Sequence, residues 1–384
     1  MRSLVFKRVL VLLVMICSTC PQGVCSTEQM GDYTFDKLPL FFVTDREVKI
    51  REKRNKYSYG KQLDRTGLRA SEDEVGVNLT YGIENHKTRI PSELQNKGNW
   101  RGAFELEIFG NEHEPQGMKW RTFSGLIYGH LYPWQGREVF YEKVRNCLAK
   151  CPSEEIVLFI HGCCVDHKKA SRQAINMQKW YRRPVILYDW GTRDKDYYHS
   201  LTAYPKTEKR FLHFMKDLKE RFPNAKISVI AYSVGVNILK DYCLSVEDKK
   251  EKDFENVTIL RADTGIGELE THLPAIVAHT RNKVQIWASG NDAQIKASRV
   301  LRTLKLLPHS VSFIKGPRAG ESIAWVEKKH DRVQILDISK LNLGHDIPYR
   351  LLSLLTRSEL KPIENGTYKV TKDADFESFA VEIN

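Results

Sequence analysis

A chain of 384 residues with 41% hydrophobic residues can bury a substantial core, so a globally disordered chain is excluded. The net charge is +12, of which residues 1–26 contribute +3, and the remaining basic residues are interleaved with acidic ones, as in Lys216-Asp217-Leu218-Lys219-Glu220-Arg221. Mixed runs of this kind read as solvated faces rather than a nucleic-acid surface, and no zinc-finger spacing or aromatic-basic ribonucleoprotein signature is present.

Residues 1–8 are short and positive, 9–17 form a continuous apolar run, and Val24-Cys25-Ser26 offers small residues for cleavage. The pattern is that of a signal peptide over 1–26 and implies an exported protein, secreted or periplasmic, with an uncleaved N-terminal anchor as the alternative. The apolar run is shorter than the roughly 20 residues that span a bilayer, and no second candidate follows, so no membrane span is expected in the mature chain. Cleavage leaves Cys147, Cys151, Cys163, Cys164 and Cys243, an odd set without disulfide-framework or zinc spacing. Cys147 and Cys151, four apart, are the pair best spaced to bond on a helix. Asn78, Asn256 and Asn365 begin glycosylation sequons that count only in a eukaryotic host.

Residues 27–150 read as an N-terminal extension packing on the core. They carry a strand over 38–44, a polar stretch to about 101 that includes the basic run 49–56, a strand over 103–109 and a helix over 137–149. From 151 to 360 the rhythm becomes strand, helix, strand, helix, which predicts an α/β fold: a mostly parallel sheet with helices on both faces. Its strands fall at 156–160, at Leu187-Tyr188-Asp189-Trp190, at 227–231, 257–261, 284–288 and 333–338. Two helix faces show three-to-four spacing, one with Phe211, Phe214, Met215, Leu218 and Phe222, the other with Ala297, Val300, Leu301 and Leu304. Cys243 falls on the apolar face of the helix after 235, and Asp166 reads as a helix cap. Residues 361–384 read as a tail, mobile and acidic from 373 onward.

The strand 227–231 runs straight into Ala231-Tyr232-Ser233-Val234-Gly235, the small-x-Ser-x-Gly pattern of a strand that turns sharply into a helix and lifts a serine clear of the sheet. Ser233 is therefore the candidate nucleophile. His345, in Gly344-His345-Asp346 after the last strand, is the candidate base, with His330 as its rival. Asp292, after Ser289-Gly290-Asn291, is the candidate acid, and Asp263, after the strand 257–261, is the alternative acid. The turn His161-Gly162-Cys163-Cys164 can aim the Cys163 N–H toward the serine, where with the Val234 N–H it would form an oxyanion hole; His161 reads as support for that turn. The order serine, aspartate, histidine, each on a loop after a strand, is that of an acyl-transfer triad.

These landmarks, together with the opening strand Phe41-Phe42-Val43-Thr44-Asp45-Arg46, resemble the alpha/beta-hydrolase superfamily, and within it a mainly bacterial subfamily of hydrolase-like proteins of unknown function. The resemblance departs in two places: Ala231 stands where glycine opens the elbow, and Cys163-Cys164 stand where the subfamily resembles an aromatic residue followed by asparagine. It implies a serine hydrolase that cleaves a carboxylic ester, on a small molecule or a lipid, through an acyl-enzyme. A non-catalytic binding protein on the same scaffold and an acyltransferase with the same triad are the alternatives. No cofactor is expected, since there is no dinucleotide fingerprint or phosphate loop, and no metal, since the histidines are scattered. Nothing in the sequence speaks to oligomeric state.

Overall fold

The computed structural model describes residues 34–51, 56–63, 79–90, 119–123, 126–130, 133–151, 153–192, 196–246, 252–303, 317–321, 331–339, 343–349, 351–353, 367–372 and 379–383. The signal segment 1–26, the strand expected over 103–109 and the rival His330 lie outside them. In chain order the elements are β1 (Thr34–Thr44), β2 (Arg46–Arg51), β3 (Lys56–Leu63), β4 (Thr80–Ile90), β5 (Lys119–Phe123), β6 (Leu126–His130), α1 (Pro133–Ala149), β7 (Glu155–Ile160), α2 (His167–Tyr181) and β8 (Val185–Asp189). They continue with α3 (Tyr197–Arg221), β9 (Lys226–Tyr232), α4 (Gly235–Ser245), β10 (Phe254–Leu260), α5 (Ile266–Ala278), β11 (Thr280–Ala288), α6 (Ala293–Thr303), β12 (Val333–Asp337), β13 (Thr367–Lys372) and β14 (Phe379–Ile383).

One sheet of 12 strands runs in the order β14-β13-β12-β11-β10-β9-β7-β8-β1-β4-β6-β5. The stretch from β13 to β1 is parallel throughout, and antiparallel strands extend it at both edges. The α/β architecture expected from the sequence is present. Its central strands read as unbroken apolar runs because helices cover both faces: Ile156 to Ile160 and Val185 to Tyr188 are wholly buried. Among the described residues no helix is long and apolar enough to cross a membrane.

Sequence and structure differ at the sheet margins. β1 pairs parallel with β8, and β4, β6 and β5 continue from it, so these four strands of the N-terminal region extend the core's own sheet. The supposed tail carries β13 and β14, which pair antiparallel, and the acidic residues Asp373, Asp375 and Glu377 fall between them in sequence. Thr367-Tyr368-Lys369-Val370-Thr371 carries β-branched and aromatic residues suited to an edge strand, and that preference outweighs the acidic charge nearby. On α6 the buried positions are Ile295 and Ser298, while Val300 is exposed. Spacing suggested the other face, but polar bonds at Asp292 and Ser298 set how this helix sits.

The remaining helices follow their patterns. Phe211, Phe214, Met215 and Leu218 of α3 and Cys243 of α4 are fully buried. The Asp166 carboxylate caps α2 by accepting the Lys169 N–H at 2.8 Å. Gln178 of α2 stitches two strands by donating to the Pro39 carbonyl at 2.6 Å and accepting the Val185 N–H at 3.0 Å.

Candidate active site

β9 delivers its last residues into a left-handed turn: Ser233 has φ +54°, a conformation that side chains rarely adopt and that a strand-to-helix elbow requires. The turn is pinned by the Ser233 N–H donating to the Leu260 carbonyl at 3.0 Å and by the Ser233 carbonyl accepting the Asp263 N–H at 3.2 Å. Two glycines let the end of β7 lie against it. A Cβ at Gly235 would fall 2.5 Å from the His161 carbonyl oxygen, and one at Gly162 would fall 2.8 Å from the Ser233 Cβ. Ala231 is fully buried in the strand itself, so a methyl group is accommodated at the position the resemblance assigns to glycine.

His345 Nε2 accepts the Ser233 hydroxyl at 3.3 Å, and its Nδ1–H donates to Asp292 Oδ2 at 2.6 Å, a tautomer that follows from the two partners. Asp292 is fully buried after β11, and its Oδ1 accepts the Gln294 and Ile295 N–H groups, each at 3.1 Å, at the start of α6. Those backbone donors orient the carboxylate, and the helix terminus favours its negative charge. The loop bearing His345 is gripped from below: the Tyr232 hydroxyl donates to the His345 carbonyl, and Arg261 Nη1 donates to the Gly344 carbonyl. The structure thus joins Ser233, His345 and Asp292 in one chain of hydrogen bonds.

Asp263, the alternative acid, spends its oxygens elsewhere. Its Oδ2 accepts the Tyr197 hydroxyl at 2.5 Å, its Oδ1 accepts the Ser298 hydroxyl at 2.6 Å, and the Arg318 guanidinium lies 3.4 Å away. The contact to His345 belongs to Asp292.

Val234 stands immediately before α4, where the first N–H groups of a helix lack intrahelical partners. Opposite it is the turn with Cys163 and Cys164. Cys164 has φ +61° and donates its N–H to the Ser200 hydroxyl at 3.3 Å. The Cys163 thiol contacts that of Cys164; this bond, burial and the Asp263 charge push its ionisation well above the usual thiol range. Cys147, Cys151, Cys163, Cys164 and Cys243 are all free thiols, so the suggested Cys147–Cys151 bond is open.

Sequence reasoning named His161 as support for the Cys163 turn but missed what holds His161 in place. Asp189, fully buried at the end of β8, meets Arg46 Nε at 2.8 Å, His167 Nδ1 at 2.6 Å and His161 Nε2 at 3.1 Å. Burial alone would raise this carboxyl, but Arg46 and the two histidines hold it well below the usual carboxylate range. Arg46 reaches on, donating from Nη1 to the Thr192 carbonyl at 2.5 Å and from Nη2 to the Val165 carbonyl at 3.3 Å. His161 stacks on Trp190 with ring centroids 5.5 Å apart, and Trp190 Nε1–H donates to the His161 carbonyl at 2.7 Å. The signal was present in Thr44-Asp45-Arg46 and Tyr188-Asp189-Trp190: opposite charges at the ends of two apolar strands must pair if both strands are buried.

Among the described residues no group of three or more histidine, cysteine or carboxylate side chains could hold a metal ion. A comparison with curated proteins finds no match. Among solved structures, that of MenH from S. aureus aligns with 53% of this chain and 92% of its own at 11% identity, with a TM-score of 0.29 too low to carry an argument. A family model described as "Alpha/beta hydrolase of unknown function (DUF900)" matches residues 137–347, more than half of the chain, from within α1 to just past His345. The chain belongs to this alpha/beta-hydrolase family.

Proposed function

We propose that the protein is an exported serine hydrolase that cleaves a carboxylic ester, of a small molecule or a lipid, through an acyl-enzyme. The observation that carries this reading is the chain of hydrogen bonds from Asp292 through His345 to the hydroxyl of Ser233 at the elbow. A serine hydroxyl is a weak nucleophile until a base takes its proton. In the proposed reaction Ser233 Oγ attacks the ester carbonyl as His345 Nε2 receives the proton, and Asp292 stabilises the imidazolium. The carbonyl oxygen becomes an oxyanion facing the N–H groups of Val234 and Cys163, each such donor being worth about 3–4 kcal/mol of transition-state stabilisation. His345 then gives its proton to the departing alkoxide, and water repeats the sequence on the acyl-enzyme to release the acid and restore Ser233.

The test is labelling with a fluorophosphonate, which traps an activated serine, followed by a panel of esters graded in acyl length. Labelling confined to Ser233 and lost in Ser233→Ala, together with turnover of an ester, supports the reading. A purified, folded protein that neither labels nor hydrolyses any ester defeats it and favours a binding role for the scaffold.

A further inference from the structure

Arg261 is the residue the reaction as described leaves unexplained. It follows β10 with φ +49° and is fully buried, a costly place for a permanent cation. Its Nη1 donates to the Gly344 carbonyl and lies 3.7 Å from Asp292 Oδ2, while Nε and Nη2 have no hydrogen-bond partner among the described residues. The backbone around it is tightly fitted: a Cβ on Gly320 would fall 2.6 Å from the Arg261 carbonyl carbon. A buried guanidinium with two unpartnered nitrogens and a strained backbone is poor design for stability alone.

We infer that Arg261 is a positioning residue for the proposed reaction, fixing the His345 loop through Gly344 and supplying a cation behind Asp292 that offsets the carboxylate charge facing His345. The inference rests on the serine-hydrolase reading. Among the described residues, the groups facing His345 and Asp292 are few. Tyr232 comes from β9 and Ser233 from the elbow, while Asp346 and Tyr349 come from the histidine loop. Asp263, with the Arg318 guanidinium behind it, lies beyond the end of β10. Burial pushes the Tyr232 and Tyr349 phenols up, so both stay neutral in the working range. Among the described residues, the charges that remain next to the pair are Asp292 and Asp346, which favour a neighbouring cation, and Arg261, which opposes one. Arg261 and Asp292 offset each other, which leaves Asp346 as the uncompensated charge beside His345. Arg261 thereby cancels one of the two carboxylate charges that face His345.

The experiment is the pH profile of ester kcat/KM for the wild type, Arg261→Met, Arg261→Gln and Arg261→Lys. Loss of the cation is expected to move the acid limb upward by about one pH unit, a tenfold loss of kcat/KM on the acid side. Arg261→Lys, which restores the charge without the fork, is expected to return the limb toward the wild-type position. Arg261→Gln removes the charge but keeps a donor for Gly344, and it decides the matter if the methionine variant does not fold. A folded, active Arg261→Met or Arg261→Gln whose limb has not moved, whatever its plateau rate, reduces Arg261 to a structural residue and overturns the inference. A wild type without ester turnover or Ser233 labelling is a different result, because it defeats the hydrolase reading itself.

Discussion

Two aspartate–histidine pairs sit at opposite ends of the same sheet with nearly the same geometry. At the carboxyl end, His345 Nδ1 lies 2.6 Å from Asp292; at the amino end, just ahead of β10 and β11, His279 Nδ1 lies 2.7 Å from Asp253. Their surroundings differ. His345 reaches the Ser233 hydroxyl with its other nitrogen and is partly open to solvent, whereas His279 is fully buried with no hydrogen-bond partner for Nε2 among the described residues. Asp253 is also bound by Lys219 and by the Tyr242 hydroxyl, so its charge is consumed in joining α3, α4 and β11. An oriented imidazole is therefore not sufficient for chemistry. It needs a reacting partner on its far nitrogen and access for substrate, and parallel sheets provide both at the carboxyl ends of their strands.

The largest test of this contrast is on activity. Ser233→Ala is expected to abolish fluorophosphonate labelling and ester turnover, and Asp292→Asn to lower kcat by about ten-thousandfold through the wrong His345 tautomer. Asp253→Asn, measured at a temperature where it remains folded, should leave kcat within a few-fold of the wild type. Comparable losses at both aspartates would erase the distinction.

Stability should rank the pairs the other way. Removing a donor from a buried carboxylate costs about 1–3 kcal/mol or more, so His279→Ala, which strips one from Asp253, should lower the denaturation midpoint, while Ser233→Ala should change it little. A His279→Ala protein as stable as the wild type would mean that the lower pair bears no load.

A pH series sharpens the comparison between neighbouring carboxylates. Asp45 and Asp189 are both fully buried, yet burial lifts Asp45 to about 7 while Arg46 and the histidines hold Asp189 down. A raised carboxyl contributes stability that is complete below its unfolded value of 3.8 and is lost as pH rises through about 7. A depressed one, such as Asp189 or Asp253, contributes stability above the unfolded value that is lost as pH falls through its folded value. Thermal melts should therefore show a decline between about pH 4 and 7 that Asp45→Asn flattens. A decline of the same size in that variant would assign it to other groups.

The smallest expected effect concerns Cys163 and Cys164. Closing adjacent thiols into a ring would strain the turn whose N–H is assigned to the oxyanion. Reductant should then raise the rate of an oxidised wild type and leave a Cys163→Ala, Cys164→Ala variant unchanged. Equal responses would show that the pair has no such role.

The parts of the site that sequence revealed are those in which one residue type at one spacing has one structural use. Ser233 between Ala231 and Gly235 marks an elbow, and an aspartate and a histidine on loops after later strands complete the order. The choice between Asp292 and Asp263 was open because both follow apolar strands; it turns on Tyr197 and Ser298, which come from other elements and occupy Asp263. Tyr232 and Arg261 were not legible as parts of the site, since their bonds cross sequence separations of 113 and 83 residues. The edge strands were hidden for another reason. Tyr81-Gly82-Ile83-Glu84-Asn85-His86-Lys87 lacks a sustained alternation of apolar and polar residues, and its place is set by pairing along all of β1.

The guanidinium of Arg46 has a consequence for where this protein can be divided. The family match begins at 137, yet the strand next to β8 and the cation that neutralises Asp189 come from residues 34–46. A polypeptide starting at 137 would keep Ser233, Asp292 and His345 and still leave an anion sealed beside an open strand edge. Such a fragment should be insoluble or inactive until a peptide spanning 34–51 is supplied in trans, so the smallest autonomous unit is longer than the segment by which the family is identified.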